Sequence, residues 1–376
     1  MGFLNIIIPF IILISIVVFV HEYGHYYYAR KYGVKVTDFS IGFGKELFGW
    51  TDKHGTRWKL CLIPLGGYVK FFGDVNPASQ PDQLSKFSDE EKTYLLSTKK
   101  LYQRAIIVSA GPIANFILAL VIFACVYMFF GKDFSVPVIQ DVKVDSPAYK
   151  AGLKKGDQIT SINDKTINSI TEVSQSISLS DTNLIKITVL RDKKEFDFQV
   201  QAIVQEGKDN LGNNINRKMI GIQIVPLNNE INRERLGPSK AIYHSLKEIW
   251  FTISTTMSYV GKMIVGTEKA DQLGGPIKIA QISGQVAELG IIPFLSIMAY
   301  ISISLGLINL FPIPLLDGGH LLFYFYEFIR GKPLSEKVQT YFFKFGLFVL
   351  FSLIFVGAVF AVTNDIAIGA GNELSY

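Results

Sequence analysis

The stretch that decides the fold is FLNIIIPFIILISIVVFVHEYGH, from Phe3 to His25. Phe3 to Val20 carries no charge and runs without a break into His21-Glu22-Tyr23-Gly24-His25. A run of this kind supplies most of the ~20 apolar residues that a helix needs to cross a bilayer. On a helix, residues four apart share a face, so His21 and His25 can point at one ion. Zinc suits two imidazoles and a carboxylate, with a fourth position left to water. Glu22, next to the first imidazole, can take a proton from that water and return it to a leaving amine. Two histidines and a glutamate at the end of a membrane span are costly unless they have a function.

Outward from this point the chain stays apolar. Of its 376 residues 49% are hydrophobic and only 18% charged, which excludes disorder and is too little charge for a fully wetted surface. The two cysteines, Cys61 and Cys125, form no metal-binding pair, so a metal would rest on His and carboxylate. Further apolar stretches run from Ala105 to Phe130, from about Ile291 to Leu316 and from about Tyr341 to Val362. The predicted fold class is a polytopic α-helical membrane protein with about four transmembrane helices. The first stretch lacks a basic leader and a small-residue cleavage site, so it reads as a retained span rather than a signal peptide. Lys and Arg concentrate between the first and second spans and in the loop with Arg330, Lys332 and Lys337, which predicts that these face the cytoplasm. The net charge of +5 is modest, and no nucleic-acid partner is expected.

The reading divides the chain as follows. Residues 1–30 form the first span and 31–104 a cytoplasmic loop. Residues 105–130 form the second span and 131–227 an inserted β-rich domain. Residues 228–290 are an amphipathic linker region with Gly274-Gly275-Pro276 as a breaker, 291–330 a third, broken span, and 331–376 a loop and fourth span. Around Ile242 to Met257 the linker reads as a helix lying on the membrane or packed on the β-rich domain. Arg57 to Phe72 reads as strand, Gly66-Gly67 turn, strand, an apolar β-hairpin dipping toward the bilayer. Ser146-Pro147-Ala148 through Gly156-Asp157-Gln158-Ile159 reads as a short helix closed by glycine and a turn into a strand.

A third protein ligand is sought in Asn309-Leu310-Phe311-Pro312-Ile313-Pro314-Leu315-Leu316-Asp317-Gly318-Gly319-His320. The two prolines disfavour regular helix over this stretch, Asn309 included. Irregular backbone at membrane depth is tolerated where it lines a protein cavity. Asp317 is the candidate ligand and His320 the rival. The Asn309 carboxamide offers both a donor and an acceptor to an extended backbone or an oxyanion.

Taken together, these residues resemble the site-2 proteases, intramembrane zinc metalloproteases, in their bacterial RseP-type group. The match is carried by His21 to His25, Phe39-Ser40-Ile41-Gly42-Phe43-Gly44-Lys45, Gly66-Gly67-Tyr68-Val69-Lys70, Gly111-Pro112-Ile113-Ala114-Asn115-Phe116 and the 309–320 run. The segment from Ser146 resembles bacterial PDZ domains, here in one copy rather than a tandem pair. The resemblance implies one zinc ion per chain held by His21, His25 and Asp317, with Glu22 as catalytic base and Asn309 positioning substrate or transition state. It further implies a multi-pass protein of the bacterial inner membrane, with its active site toward the cytoplasm and its PDZ-like domain outside. The implied partners are the lipid bilayer and membrane-spanning protein substrates, such as single-span anti-sigma factors or remnant signal peptides. The alternative is a membrane PDZ scaffold with a structural zinc site, against which the intact Glu22 argues.

Overall fold

In a bilayer core every backbone amide must be bonded within the protein, and an isolated apolar segment achieves this as a helix. The computed structural model describes residues 2–73, 87–178, 180, 182–208, 214–266, 276–335 and 337–348. Three of its helices are long and apolar enough to cross a membrane: Leu4–Lys31, Leu101–Phe129 and Ile291–Asn309. Residues 337–348 are also helical, and the rest of the fourth expected span, from 349 onward, lies outside the described residues. The chain divides into two compact units, Ala124–Ala241 and the remainder.

The larger unit begins with α1 (Phe3–Lys31), followed by strands β1 (Val36–Thr51) and β2 (Arg57–Phe71), the one-turn helix α2 (Asp89–Lys92) and helix α3 (Leu101–Phe129). The two long strands refine one expectation. Within 57–72 the chain does reverse before Gly67, since Arg57 to Leu60 runs parallel to Asp38 to Ile41 and Gly67 to Lys70 antiparallel to it. The two arms do not pair with each other, because that β1 segment lies between them. Gly66 has φ +99°, a conformation that glycine adopts without strain, at the end of this reversal. The turn that joins β1 to β2 lies at 52–56, where both oxygens of Asp52 are bonded. Its Oδ1 accepts from the backbone of His54 at 2.8 Å and of Thr56 at 3.0 Å. Its Oδ2 accepts from Trp58 Nε1 at 3.0 Å and from the Tyr26 hydroxyl at 3.1 Å, tying the turn to α1. Asp38 to Ile41 is partnered by Gly67 to Lys70 on one side and by Arg57 to Leu60 on the other. That leaves Gly66 to Val69 along a sheet margin. A β-carbon on Gly67 would fall 2.5 Å from Ser40 O and 3.2 Å from Glu22 Cγ, so glycine here lets the sheet press against α1.

The smaller unit folds around its own apolar core, centred on Ile139, Ile159, Ile187 and Val200. Its elements are β3 (Lys132–Asp133), β4 (Pro137–Val142), α4 (Pro147–Ala151), β5 (Gln158–Ile162), β6 (Lys165–Thr166), α5 (Ile170–Ser178), β7 (Leu184–Arg191), β8 (Lys194–Gln201), β9 (Ile203–Lys208), β10 (Asn214–Met219), β11 (Ile222–Pro226) and β12 (Arg233–Glu234). The main sheet has the order β11-β4-β5-β7-β8, with β6 paired to β5. The helix expected after Ser146 is α4, capped by the Ser146 hydroxyl and stopped by Gly152 at φ +94°. The unit is broader than residues 131–227. Its β12 pairs with β3, and Ala124, Leu236 and Ala241 share a small apolar cluster.

Back in the larger unit come α6 (Pro238–Ile264), α7 (Pro276–Glu288), α8 (Ile291–Asn309) and α9 (Asp317–Arg330). Gly274 and Gly275 lie outside the described residues. Along α6, Tyr243, Leu246, Trp250 and Met257 form an exposed stripe at helical spacing. The break at the two prolines is present, between α8 and α9, but Asn309 is the last residue of regular helix rather than part of the irregular stretch. Pro312 withholds an amide from the carbonyl of residue 308, so it ends the helix one turn ahead of itself and spares Asn309. Arg104 on α3 anchors α9 through a two-pronged ion pair with Glu327, at 3.0 and 2.5 Å.

Candidate metal centre

Four elements converge on one point. His21 and His25 project from the same face of α1, and Asp317 occupies the first turn of α9. His21 Nε2 and His25 Nε2 lie 3.3 Å apart. Asp317 Oδ2 stands 3.3 Å from the first and 3.5 Å from the second. These edges match a tetrahedral ion, for which bonds of ~2.0–2.1 Å place ligand atoms about 3.3–3.4 Å apart. Asp317 Oδ2 is buried and makes no hydrogen bond, which is costly for a carboxylate oxygen unless a cation meets it. Among the described residues this is the group of three or more His, Cys, Asp and Glu side chains close enough to share an ion.

His320, the rival to Asp317, is not part of that group. One turn into α9, its ring lies 5.4 Å from that of Phe343 and 6.4 Å from that of Phe323, in an aromatic cluster. Residues three apart lie on neighbouring but distinct directions of a helix, so the turn that aims Asp317 at α1 sends His320 toward other neighbours.

The second ring nitrogens are held from α3. His25 Nδ1 donates to the Ile107 carbonyl at 2.9 Å. His21 Nδ1 meets the Asn115 carboxamide at 3.3 Å. Gly111 lies between these two positions. A β-carbon there would sit 2.2 Å from His25 Nε2 and 2.9 Å from His21 Cε1, so only glycine leaves room for both imidazoles. Asn309, at the end of α8, brings its Nδ2 to 3.3 Å from His21 Nε2. Asn115 and Gly111 carry contacts that the sequence reading did not assign. The signal was present in the Gly111 to Asn115 motif, which stood out as a match without a role.

Glu22 is buried, and the Val69 backbone amide of β2 faces its carboxylate. The whole group opens on a cavity of about 590 Å³. Its walls include the β2 margin at Gly66 to Val69, Phe43 of β1, and Leu315 and Leu316 from the proline-broken segment. Such a site, with two imidazoles, a carboxylate and a separate carboxylate at the mouth of an apolar cavity, can hold a divalent cation and move a proton beside it.

Over most of its length the chain is similar to known proteins. The sequence profile described as Peptidase family M50 matches residues 9–353. "Putative zinc metalloprotease Atu1380" of Agrobacterium fabrum is 43% identical over 369 residues, 97% of each chain. "Metalloprotease MmpA" of Caulobacter vibrioides is 34% identical over 389 residues, 97% of this chain and 96% of its own. Among solved structures, the PDZ domain of an SdrC-like protein from Listeria monocytogenes is 25% identical, covering 24% of this chain and 90% of its own, with a TM-score of 0.20.

Proposed function

The chain belongs to peptidase family M50 and is a zinc metalloprotease, and from that premise we propose that it cuts membrane-spanning substrates within or beside the bilayer. The observation that carries the proposal is the convergence of His21 Nε2, His25 Nε2 and Asp317 Oδ2 at tetrahedral spacing on a cavity shared with Glu22. His21, His25 and Asp317 would hold the zinc ion, one per chain. When bound, zinc supplies a Lewis acid for the scissile carbonyl and an acidified water at neutral pH.

The chain's own residues account for the remaining work. Glu22 takes the proton of the attacking water and delivers it to the leaving amine. Asn309, whose Nδ2 lies 3.3 Å from His21 Nε2, donates to the substrate carbonyl as charge develops on its oxygen. A helical substrate hides its peptide bonds, so the bond to be cut must first be unwound. The β2 margin from Gly66 to Val69 offers an unwound segment a strand edge beside Glu22.

The Lys- and Arg-rich 31–104 segment supports a cytoplasmic active site, and chain order then places the 131–227 domain outside. The exposed stripe of α6 suits the membrane surface. The substrate class that fits is a single-span protein, an anti-sigma-factor-like chain or a remnant signal peptide. The test is direct: purified wild type and Glu22→Gln are each assayed for bound zinc and for cleavage of a model single-span substrate in vesicles. Both should carry zinc and only wild type should cut. A Glu22→Gln protein that cuts at the wild-type rate would overturn the mechanism.

A further inference from the structure

His21 and His25 lie four residues apart on α1, and the face of α3 opposite them repeats that spacing with Ile107, Gly111 and Asn115. The Ile107 carbonyl fixes His25 by accepting from Nδ1, which leaves the Nε2 lone pair turned toward Asp317. Two helical turns along α3, the backbone carbonyl of Asn115 cannot do the same for His21, since it already accepts from the Ser302 hydroxyl of α8 at 2.9 Å. The group that meets His21 Nδ1 is instead the Asn115 side chain, 3.3 Å away. Asn115 is wholly buried, and its Oδ1 finds no hydrogen-bond partner while its Nδ2 is turned to the imidazole.

That orientation suits a histidine whose proton sits on Nε2. If Nε2 binds a metal, the proton sits on Nδ1, and the atom facing it must be an acceptor. The two ends of a carboxamide have nearly the same shape, and their order follows from the hydrogen bonds they make. Turning the group by half a rotation brings the unsatisfied oxygen onto the Nδ1 proton, and the nitrogen takes the place the oxygen leaves.

We infer that Asn115 is the positioning residue for His21: its carboxamide oxygen accepts Nδ1–H and holds the imidazole in the tautomer that presents Nε2 to zinc. The inference rests on the proposed zinc site and adds to it a partner from α3 matching the one that Ile107 provides for His25. Acceptors behind metal-bound histidines fix ring orientation and raise ligand basicity, and their removal typically weakens metal binding by about 10–100-fold.

The test uses the full chain in detergent micelles, stripped of metal and titrated with zinc against a competing chelator. Asn115→Leu keeps the size of the side chain and removes the acceptor, whereas Asn115→Asp keeps an acceptor of the same shape. Asn115→Leu should bind zinc about 10–100-fold more weakly, and Asn115→Asp should stay within about threefold of wild type. The cobalt(II) absorption spectrum should be wild-type in Asn115→Asp and altered in Asn115→Leu. A role confined to helix packing would not produce this rescue. A folded Asn115→Leu protein with wild-type zinc affinity, or an Asn115→Asp protein that loses zinc, overturns the inference. If Asn115→Leu does not fold, Asn115→Asp decides alone by the same criterion. Wild type that binds no zinc, or His21→Ala that binds it as tightly, would instead refute the zinc site itself.

Discussion

Asp157 in the smaller unit and Asp317 at the start of α9 are both carboxylates drawn away from water, and their surroundings differ in kind. Asp157 is 1% exposed and fully bonded. Arg191 grips it with Nε and Nη2 at 2.6 and 2.7 Å, and the Lys154 amide adds a third bond at 2.8 Å. Asp317 turns an unbonded oxygen toward two ring nitrogens that must themselves act as acceptors if they hold a metal. The first arrangement satisfies its charge from within the chain and needs nothing else. The second gathers three lone pairs around a point where the chain supplies no cation. Buried polarity that closes on itself is structural, whereas buried polarity left open in a cavity points to a ligand.

The strongest way to break this contrast is to remove the open cluster. His21→Ala and Asp317→Ala should each lose both tight zinc binding and proteolysis. Glu22→Gln should retain zinc while turnover falls by about 10²–10⁴-fold, the usual contribution of a general base. Metal analysis of the purified proteins, run beside a cleavage assay, checks all three. Stoichiometric zinc and full activity in Asp317→Ala would transfer the assignment to His320.

The closed cluster should respond in the opposite sense. Arg191→Ala leaves Asp157 buried without its cation and should destabilise the smaller unit by about 3–5 kcal/mol. Zinc content should not change. Hydrogen exchange at Ile159 and Val189 in the intact chain reports the loss, since both belong to the core beside this pair. Unchanged protection at these positions would mean that the pair is not structural.

Asn309 tests the contrast from inside the open site. As a donor to developing charge, its replacement by Ala should lower turnover by about 10²–10³-fold at unchanged zinc content. If it only supported the break after α8, Asn309→Ala would lose thermal stability or zinc, and Asn309→Ser would recover most of the loss. A stable, zinc-loaded Asn309→Ala enzyme of near-normal turnover would remove it from the mechanism.

Much of the open site is legible in the sequence because helical geometry is local. A spacing of four from His21 to His25 is enough to put them on one face, and an uncharged run before them is enough to make the helix. Where contacts depend on distant elements, legibility ends. Asp317 and His320 could not be separated by spacing, because what divides them is the direction of the first turn of α9. Asn115 meets His21 across 94 residues of chain, and nothing in its local pattern announces an imidazole partner. The Gly66-Gly67 pair has the composition of a turn and the chain does turn back before Gly67, but the strand that lies between the two arms, Asp38 to Ile41, comes from outside 57–72. A second turn follows Asp52, where an aspartate collects the backbone amides.

Asp52 gives the smallest effect and the finest test, because it is a third kind of carboxylate, satisfied by neutral donors alone. Burial by itself would raise its pKa, but the bonds from Trp58, Thr56, His54 and Tyr26 outweigh burial and hold it down at about 2. A group whose folded pKa lies below its unfolded value of ~3.9 stabilises the fold fully above that value. The contribution is then lost as pH falls from about 4 through 2. Because the carboxylate is partly exposed, screening reduces the effect to on the order of 1 kcal/mol. Its loss would loosen the 52–56 turn from Tyr26 on α1, on the helix that carries the metal ligands. Trp58 fluorescence, followed against pH at fixed denaturant, reports this locally, since its indole nitrogen bonds Asp52 directly. Wild type should show a transition between pH 4 and 2 that Asp52→Asn lacks, and Asp52→Asn should match acidified wild type at neutral pH. Superimposable pH profiles for the two proteins would show that neutral donors do not hold this charge in place. The contrast between satisfied and open carboxylates would then rest on Asp157 alone.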